Sequence, residues 1–245
     1  MKIIGIIPAR FESSRFPGKP LINLLGKPMI EHVYNRCKKA DRLADVVVAT
    51  DDERILKAVQ KFGGKVVMTS TVHESGTERC AEALSKINSS ADCIINIQGD
   101  EPLIDPKQIN QLADMLQNRS ATIATLARKI IDERDWNAHQ VVKVVVNKNN
   151  EALYFSRSLI PFARTNRTVT PLQHVGIYGY HVSTLREIVD LPQSVLEQCE
   201  GLEQLRWLDH GYKIHVGLTH GETHAIDTPD DVDNVIKLME KNGNT

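Results

Sequence analysis

The chain has only four cysteines, Cys37, Cys80, Cys93 and Cys199, and none falls in a CxxC pair. That argues against a disulfide framework or a zinc site; three of the four lie in apolar periodic patterns and are expected to be buried, reduced thiols. Long hydrophobic runs are missing too. The first one, Lys2 to Ile7, is far shorter than a membrane span or the apolar core of a signal peptide, and Arg10 ends it. A cytoplasmic protein without membrane contact is expected. Neither charge sign is in excess: 30 Lys and Arg stand against 31 Asp and Glu, a net charge of −1. That balance argues against a general nucleic-acid binder, which needs a cationic surface, although basic residues can still cluster locally. Neither the Walker nor the dinucleotide glycine spacing occurs, and there is no internal repeat or low-complexity tract. His73, His139, His210, His215, His220 and His224 show no metal spacing such as HExxH and read as surface or packing residues. Trp136 and Trp207 read as core or lobe contacts.

What is present is an alternation of short apolar runs and helix-period segments. Lys2 to Ile7, Asp45 to Thr50, Lys65 to Met68, Asp92 to Gln98 and Thr122 to Ala127 read as buried strands. Between them, Ile30, Val33, Tyr34 and Cys37 mark one amphipathic helix, and Ile55, Leu56, Val59 and Phe62 mark another, capped by Asp51 or Asp52 and stopped by Gly63-Gly64. Further helices are expected over Glu78 to Ile87 and Pro106 to Gln117. Strands separated by helices mean βαβ units and a mostly parallel sheet, so the fold class is a doubly wound α/β core. After residue 139 the pattern changes. Gln140 to Val146 and Ala152 to Arg157 read as an antiparallel hairpin around an Asn-Lys-Asn-Asn turn, followed by a strand from His174 to Tyr180. Two helical segments, a strand over Lys213 to Leu218 and a C-terminal helix from Asp230 complete the reading. The 245 residues are taken as one domain, with a core of 1–139 and 211–245 and a smaller lobe of about 140–210 packed on it.

In an open parallel sheet, ligands sit outside the carboxyl ends of the strands. The loop after the first strand carries Arg10, Arg15 and Lys19 among small residues and prolines. Such a loop suits a polyanion, because backbone N–H groups can approach phosphate oxygens that the cations neutralise; the plain alternative is a solvated basic loop. Asp100, at the tip of the fourth strand beside Gly99, is placed to hold a divalent cation, since Mg²⁺ favours one or two carboxylates with phosphate oxygens and water. Asp227 is the second candidate ligand. A helix cap also fits that segment, with Pro229 in the first turn and Asp230 or Asp231 doing the capping. Ser75-Gly76-Thr77 reads either as an N-cap or, with Arg79, as a reader of a base edge or a phosphate.

Taken together the motifs form a recognisable set. Pro8-Ala9-Arg10, Ser14-Arg15-Phe16-Pro17-Gly18-Lys19-Pro20, Ala49-Thr50-Asp51-Asp52, Ser75-Gly76-Thr77-Glu78-Arg79 and Gln98-Gly99-Asp100-Glu101-Pro102 occur in that order. Leu153-Tyr154-Phe155-Ser156-Arg157, His174-Val175-Gly176-Ile177-Tyr178, Leu202-Glu203-Gln204-Leu205-Arg206 and Asp227-Thr228-Pro229-Asp230-Asp231 continue the series. Nearly the whole chain thereby resembles the 3-deoxy-manno-octulosonate (Kdo) cytidylyltransferases, the CMP-Kdo synthetases of lipopolysaccharide assembly.

The resemblance implies a three-layer, Rossmann-like nucleotidyltransferase fold that works as a homodimer, with the smaller lobe serving the sugar and the dimer contact. It implies transfer of CMP from CTP to Kdo with Mg²⁺ and release of pyrophosphate. By the same resemblance, Arg10, Arg15 and Lys19 hold the triphosphate, Pro8, Ala9, Ser75, Thr77, Arg79 and Gln98 frame the nucleoside, and Asp100 and Asp227 ligate the metal. Arg157, Arg164, His174, Tyr178, Glu203 and Gln204 hold the sugar acid. The short segment between Arg164 and His174, and Gln173 where relatives often carry a cation, leave 8-amino-Kdo or a sialic acid as alternative acceptors. Sugar-1-phosphate nucleotidyltransferases open instead with an Ala-Gly-Gly turn, and a non-catalytic nucleotide-binding scaffold would not need Lys19, Asp100 and Asp227.

Overall fold

The structure is a computed structural model that describes residues 1–12, 16–87, 89–118, 120–164, 169–241 and 243. The N-terminal half follows the expected alternation: β1 (Ile3–Ala9), α1 (Met29–Cys37), β4 (Asp45–Thr50), α2 (Glu53–Lys61), β5 (Val66–Met68), α3 (Gly76–Lys86), β6 (Cys93–Asn96), α4 (Pro106–Leu116) and β7 (Ile123–Lys129). Two short strands that the sequence did not suggest, β2 (Asn23–Leu24) and β3 (Lys27–Pro28), form a small hairpin before α1. The local signals act as read: Asp52 caps α2 by accepting the Arg54 N–H, and Ser75 caps α3 by accepting the Glu78 N–H.

The second half holds β8 (Lys143–Val146), β9 (Ala152–Ser156), β10 (Leu172–His181), α5 (Val182–Val189), α6 (Val195–Glu200), α7 (Gln204–Asp209), β11 (His215–Leu218) and α8 (Pro229–Lys241). The hairpin β8–β9 is antiparallel, as expected. Three helices, not two, follow β10. The capping box of Ser194 with Glu197 starts the middle one and Gly201, in the left-handed region, ends it.

The main path of the sheet runs β11-β7-β10-β6-β1-β4-β5. β1, β4, β5 and β6 are parallel, whereas β10 enters antiparallel between β6 and β7. This corrects the expected boundary of the lobe. Residues 172–181 belong to the centre of the core sheet, β8 joins that sheet through β10 with β9 beyond it, and α5 and α7 pack on one face. Apolar side chains on the two faces of the sheet form two cores, one under α1, α2 and α4, the other under α3, α5 and α7 with the β8–β9 hairpin. A third, smaller core joins Leu24 and Met29 to Ile226, Val235 and Met239, and so docks α8 beside the loop that follows β1. Cys37, Cys80 and Cys93 are buried thiols, as expected, and Cys199 is exposed.

Candidate active site

The loop after β1 folds back on itself. The Gly18 N–H donates to Phe11 O at 2.9 Å and the Lys19 N–H to Phe16 O at 3.2 Å. Gly18 sits at φ +74°, and a Cβ there would lie 3.0 Å from the Phe11 ring, so glycine is needed on both counts. This turn aims Lys19 inward. Its Nζ donates to Asp100 Oδ2 at 2.7 Å and reaches Asp227 Oδ1 at 3.5 Å. Arg15, assigned to the triphosphate from the sequence, lies outside the described residues.

Asp100 is delivered by the end of β6. Gly99 lets that segment lie against β1: a Cβ on it would fall 2.8 Å from Pro8 O. Asp227 comes from the turn before α8. Asp231, in the first turn of α8, accepts the N–H groups of Asp227 and Thr228 at 2.9 and 2.8 Å and so braces the turn that enters the helix, while the Asp227 carboxylate faces Lys19. Glu101 stands behind this pair. Burial, then the charges of Asp100 and Asp227, push its carboxyl up to about 7, against the His224 N–H that it accepts at 2.9 Å.

Farther along the same sheet edge, α3 presents Arg79. Its guanidinium is buried: Nη1 donates to Thr69 Oγ1 at 2.7 Å and Ser70 O at 3.1 Å, and Nη2 to Asp51 Oδ2 at 2.8 Å. One turn on, Glu82 accepts the Ser70 N–H at 2.7 Å and bonds His73. Burial works against its ionisation, but Lys86, the Ser70 N–H and His73 together hold it down at about 2.

These groups surround a cleft of about 260 Å³. Of the residues expected from the sequence, Pro8, Ala9, Arg10, Lys19, Ser75, Arg79, Gln98, Asp100 and Asp227 line it together. Thr77 does not line it; it is buried and its hydroxyl donates to Glu203 Oε2 at 2.7 Å. His73 was read as a surface or packing residue and is instead in the cleft wall, with Glu74 and Gly76. The one sequence signal for it is its place just before the cap of α3.

The six sugar-acid residues do not line this cleft. Arg157 donates from Nε, Nη1 and Nη2 to the carbonyls of Glu200, His139 and Gly201 at 2.7, 3.1 and 3.3 Å. Arg164 is exposed, next to the undescribed residues 165–168. His174 lies against Phe155 and Tyr178, with ring centroids 5.0 and 5.2 Å away, and its Nε2 is 3.0 Å from Thr125 Oγ1. The ring keeps some solvent contact, yet these neighbours desolvate it and push its pKa down to about 3, so it stays neutral. Tyr178 and Gln204 are buried, and burial raises Glu203 even though Thr77 donates to it. Two bonds link this region to the cleft: Thr77 to Glu203, and Gln98 Nε2 to Gly176 O at 2.8 Å, where a β-bulge interrupts β10.

A cleft at the carboxyl edge of a mostly parallel sheet, with a lysine between two carboxylates and an arginine beside them, suits a phosphate-bearing ligand, and known relatives place the chain among the nucleotidyltransferases. The cytidylyltransferase family model matches residues 4–214. A 3-deoxy-manno-octulosonate cytidylyltransferase of Parabacteroides distasonis is 51% identical over 98% of both chains. An 8-amino-3,8-dideoxy-manno-octulosonate cytidylyltransferase of Shewanella pealeana is 47% identical over 95% of this chain and 96% of its own. A solved CMP:2-keto-3-deoxy-manno-octonic acid synthetase in complex with CTP superposes with a TM-score of 0.94 at 44% identity, covering 99% of this chain and all of that one. The chain belongs to the 3-deoxy-manno-octulosonate cytidylyltransferase family.

Proposed function

We propose that the protein transfers CMP from CTP to the anomeric hydroxyl of Kdo, giving CMP-Kdo and pyrophosphate. The observation that carries the reading is the convergence of Lys19, Asp100 and Asp227 in a cleft that Arg10 also lines. The sugar hydroxyl attacks the α-phosphorus in line, the new O–P bond forms as the bond to the β-phosphate breaks, and the hydroxyl proton is lost to solvent. Negative charge builds on phosphate oxygens, so the chain contributes mainly position and counter-charge, from Lys19 and Arg10 and, by resemblance, Arg15. Asp100 and Asp227 fit Mg²⁺: two carboxylates already share one cation, and this ion takes its remaining ligands from phosphate and water. Bound there, Mg²⁺ would neutralise triphosphate charge and polarise the reacting groups.

The sugar acid is assigned to the side of Arg157, His174, Tyr178, Glu203 and Gln204, with Arg164 at its rim. Because His174 is neutral, countering the sugar carboxylate falls to an arginine. A homodimer belongs to the same reading, supported by the exposed apolar side chains of Leu153, Phe162 and Val195. So does a cytoplasmic location, where CTP is made. Among the described residues, no helix is long and apolar enough to cross a membrane. The Shewanella relative makes 8-amino-Kdo the acceptor to compare.

Pyrophosphate release with each of the four NTPs, against Kdo, 8-amino-Kdo and sialic acid, tests the proposal. CTP with Kdo should give the highest kcat/KM, and no release from CTP with any of the three acids would refute it. Asp100→Ala should abolish release while the protein stays folded by circular dichroism; retained turnover would remove Asp100 from the site.

A further inference from the structure

The motif Ala49-Thr50-Asp51-Asp52 has one residue without a part in the reading so far. Asp52 caps α2, and the Thr50 hydroxyl accepts the Asp52 N–H. Asp51 does neither; it pairs with Arg79 at 2.8 Å, where both side chains are nearly inaccessible, 14% and 4% exposed.

Two clusters therefore meet at one cleft, the second through Arg79, which lines it while Asp51 and Thr69 hold the guanidinium from behind. Lys19 and Asp100 stand over β1 and β6, whereas Asp51 and Thr69 stand over β4 and β5, farther along the same edge. At the first end Lys19 and Arg10 balance Asp100 and Asp227, and a divalent cation held by those carboxylates would make it cationic. At the second end Arg79 is matched charge for charge by Asp51, and Glu74 adds a further carboxylate to the wall. Coulombic attraction of a polyphosphate to a matched pair is small, whereas the same arginine unmatched and desolvated would attract it strongly.

Resting on the assignment of this cleft to CTP, we infer that Asp51 is an orientation- and specificity-determining residue. It holds Arg79 by one edge and cancels its charge, so the triphosphate is refused at the β4–β5 end and the nucleotide enters in one direction. Arg79 then offers its remaining N–H groups to a neutral base. Discrimination of this kind needs an element that disfavours the wrong pose as well as one that favours the right pose.

Asp51→Asn keeps the size of the side chain and leaves Arg79 charged. The expected result is an opposed pair of changes. KM for CTP rises about tenfold, as for loss of one charge-assisted hydrogen bond, with KM for Kdo within about twofold. Inorganic tripolyphosphate, titrated calorimetrically into the nucleotide-free protein, binds several-fold more tightly than to wild type. A role limited to stability would weaken both ligands. The double variant Asp51→Asn/Arg79→Gln removes both charges, so tripolyphosphate affinity should return to within about twofold of wild type. Unchanged or weaker tripolyphosphate binding by the folded single variant would overturn the inference, as would a clear loss of it in the double variant. Should the single variant fail to fold, the double variant decides alone. Failure of wild type to release pyrophosphate from CTP and Kdo would refute the proposed function instead, and the tripolyphosphate titrations would still decide the role of Asp51.

Discussion

Replacing Lys143 by Met should destabilise the protein by about 3–5 kcal/mol, the range for removing one partner from a buried charged network. Lys143 lies on β8 with no accessible surface. Its ammonium donates to three carbonyls, Ala138 O at 2.9 Å, Val141 O at 2.8 Å and Arg157 O at 2.9 Å. Burial pushes its pKa down, so part of the gain from these bonds offsets desolvation. Methionine fills nearly the same volume and donates nothing. It leaves three acceptors without their charged donor, at about 1–3 kcal/mol for each that stays dry. For a domain of this size about 1 kcal/mol corresponds to a Tm shift of roughly 2–4 °C, so a fall of about 10 °C is expected. Thermal unfolding followed by circular dichroism near pH 7.5 measures it. Because the same three bonds tie the 138–141 segment to Arg157, KM for the sugar acid should rise more than KM for CTP. A Tm within about 3 °C of wild type would show that the buried ammonium is not the clasp described.

Two other substitutions probe other parts of the argument. His174 has a folded-state pKa near 3 against an ordinary 6.5, so the unfolded chain takes up a proton that the folded chain refuses. Its contribution is complete above pH 6.5 and is lost toward pH 3 at no more than about 1.4 kcal/mol per pH unit, less for the solvent contact its ring keeps. His174→Gln should therefore flatten the loss of stability in urea titrations between pH 7 and pH 5, and an unchanged slope would contradict the assignment. Gly99→Ala puts a Cβ against Pro8 O and should cost about 1–3 kcal/mol while raising KM for CTP, read from denaturation and pyrophosphate release. A neutral effect on both would mean that the approach of β6 to β1 is not tight.

The first half of the fold was legible because each of its elements announces itself locally. Apolar runs mark β1, β4 and β6, the i, i+3, i+4, i+7 spacing marks α1, and Asp52 and Ser75 cap where capping residues were expected. The cleft was legible for the same reason, since Lys19, Arg79 and Asp100 all follow strands whose carboxyl ends share one edge. The place of β10 was not legible. Its apolar pattern gives a strand, but nothing local says that Tyr178 pairs with Asn96 in the middle of the sheet. Lys143 and His73 were missed because burial of a charged group and exposure of a histidine to a cleft are set by distant partners, here the carbonyl of Arg157 and the carboxylate of Glu82.

The bond from Lys19 to Asp227 spans 208 positions, and β10 fills the space between β6 and β7 only after both have been made. Lys19 precedes Asp227 in synthesis, so the loop proposed to hold the triphosphate is made before the second of the two carboxylates it faces. Assembly of the site therefore waits for α8 to seat Val235 and Met239 against Leu24 and Met29. A growing chain already long enough to carry Arg10, Lys19 and Asp100 still lacks the Asp227 carboxylate that completes the cluster.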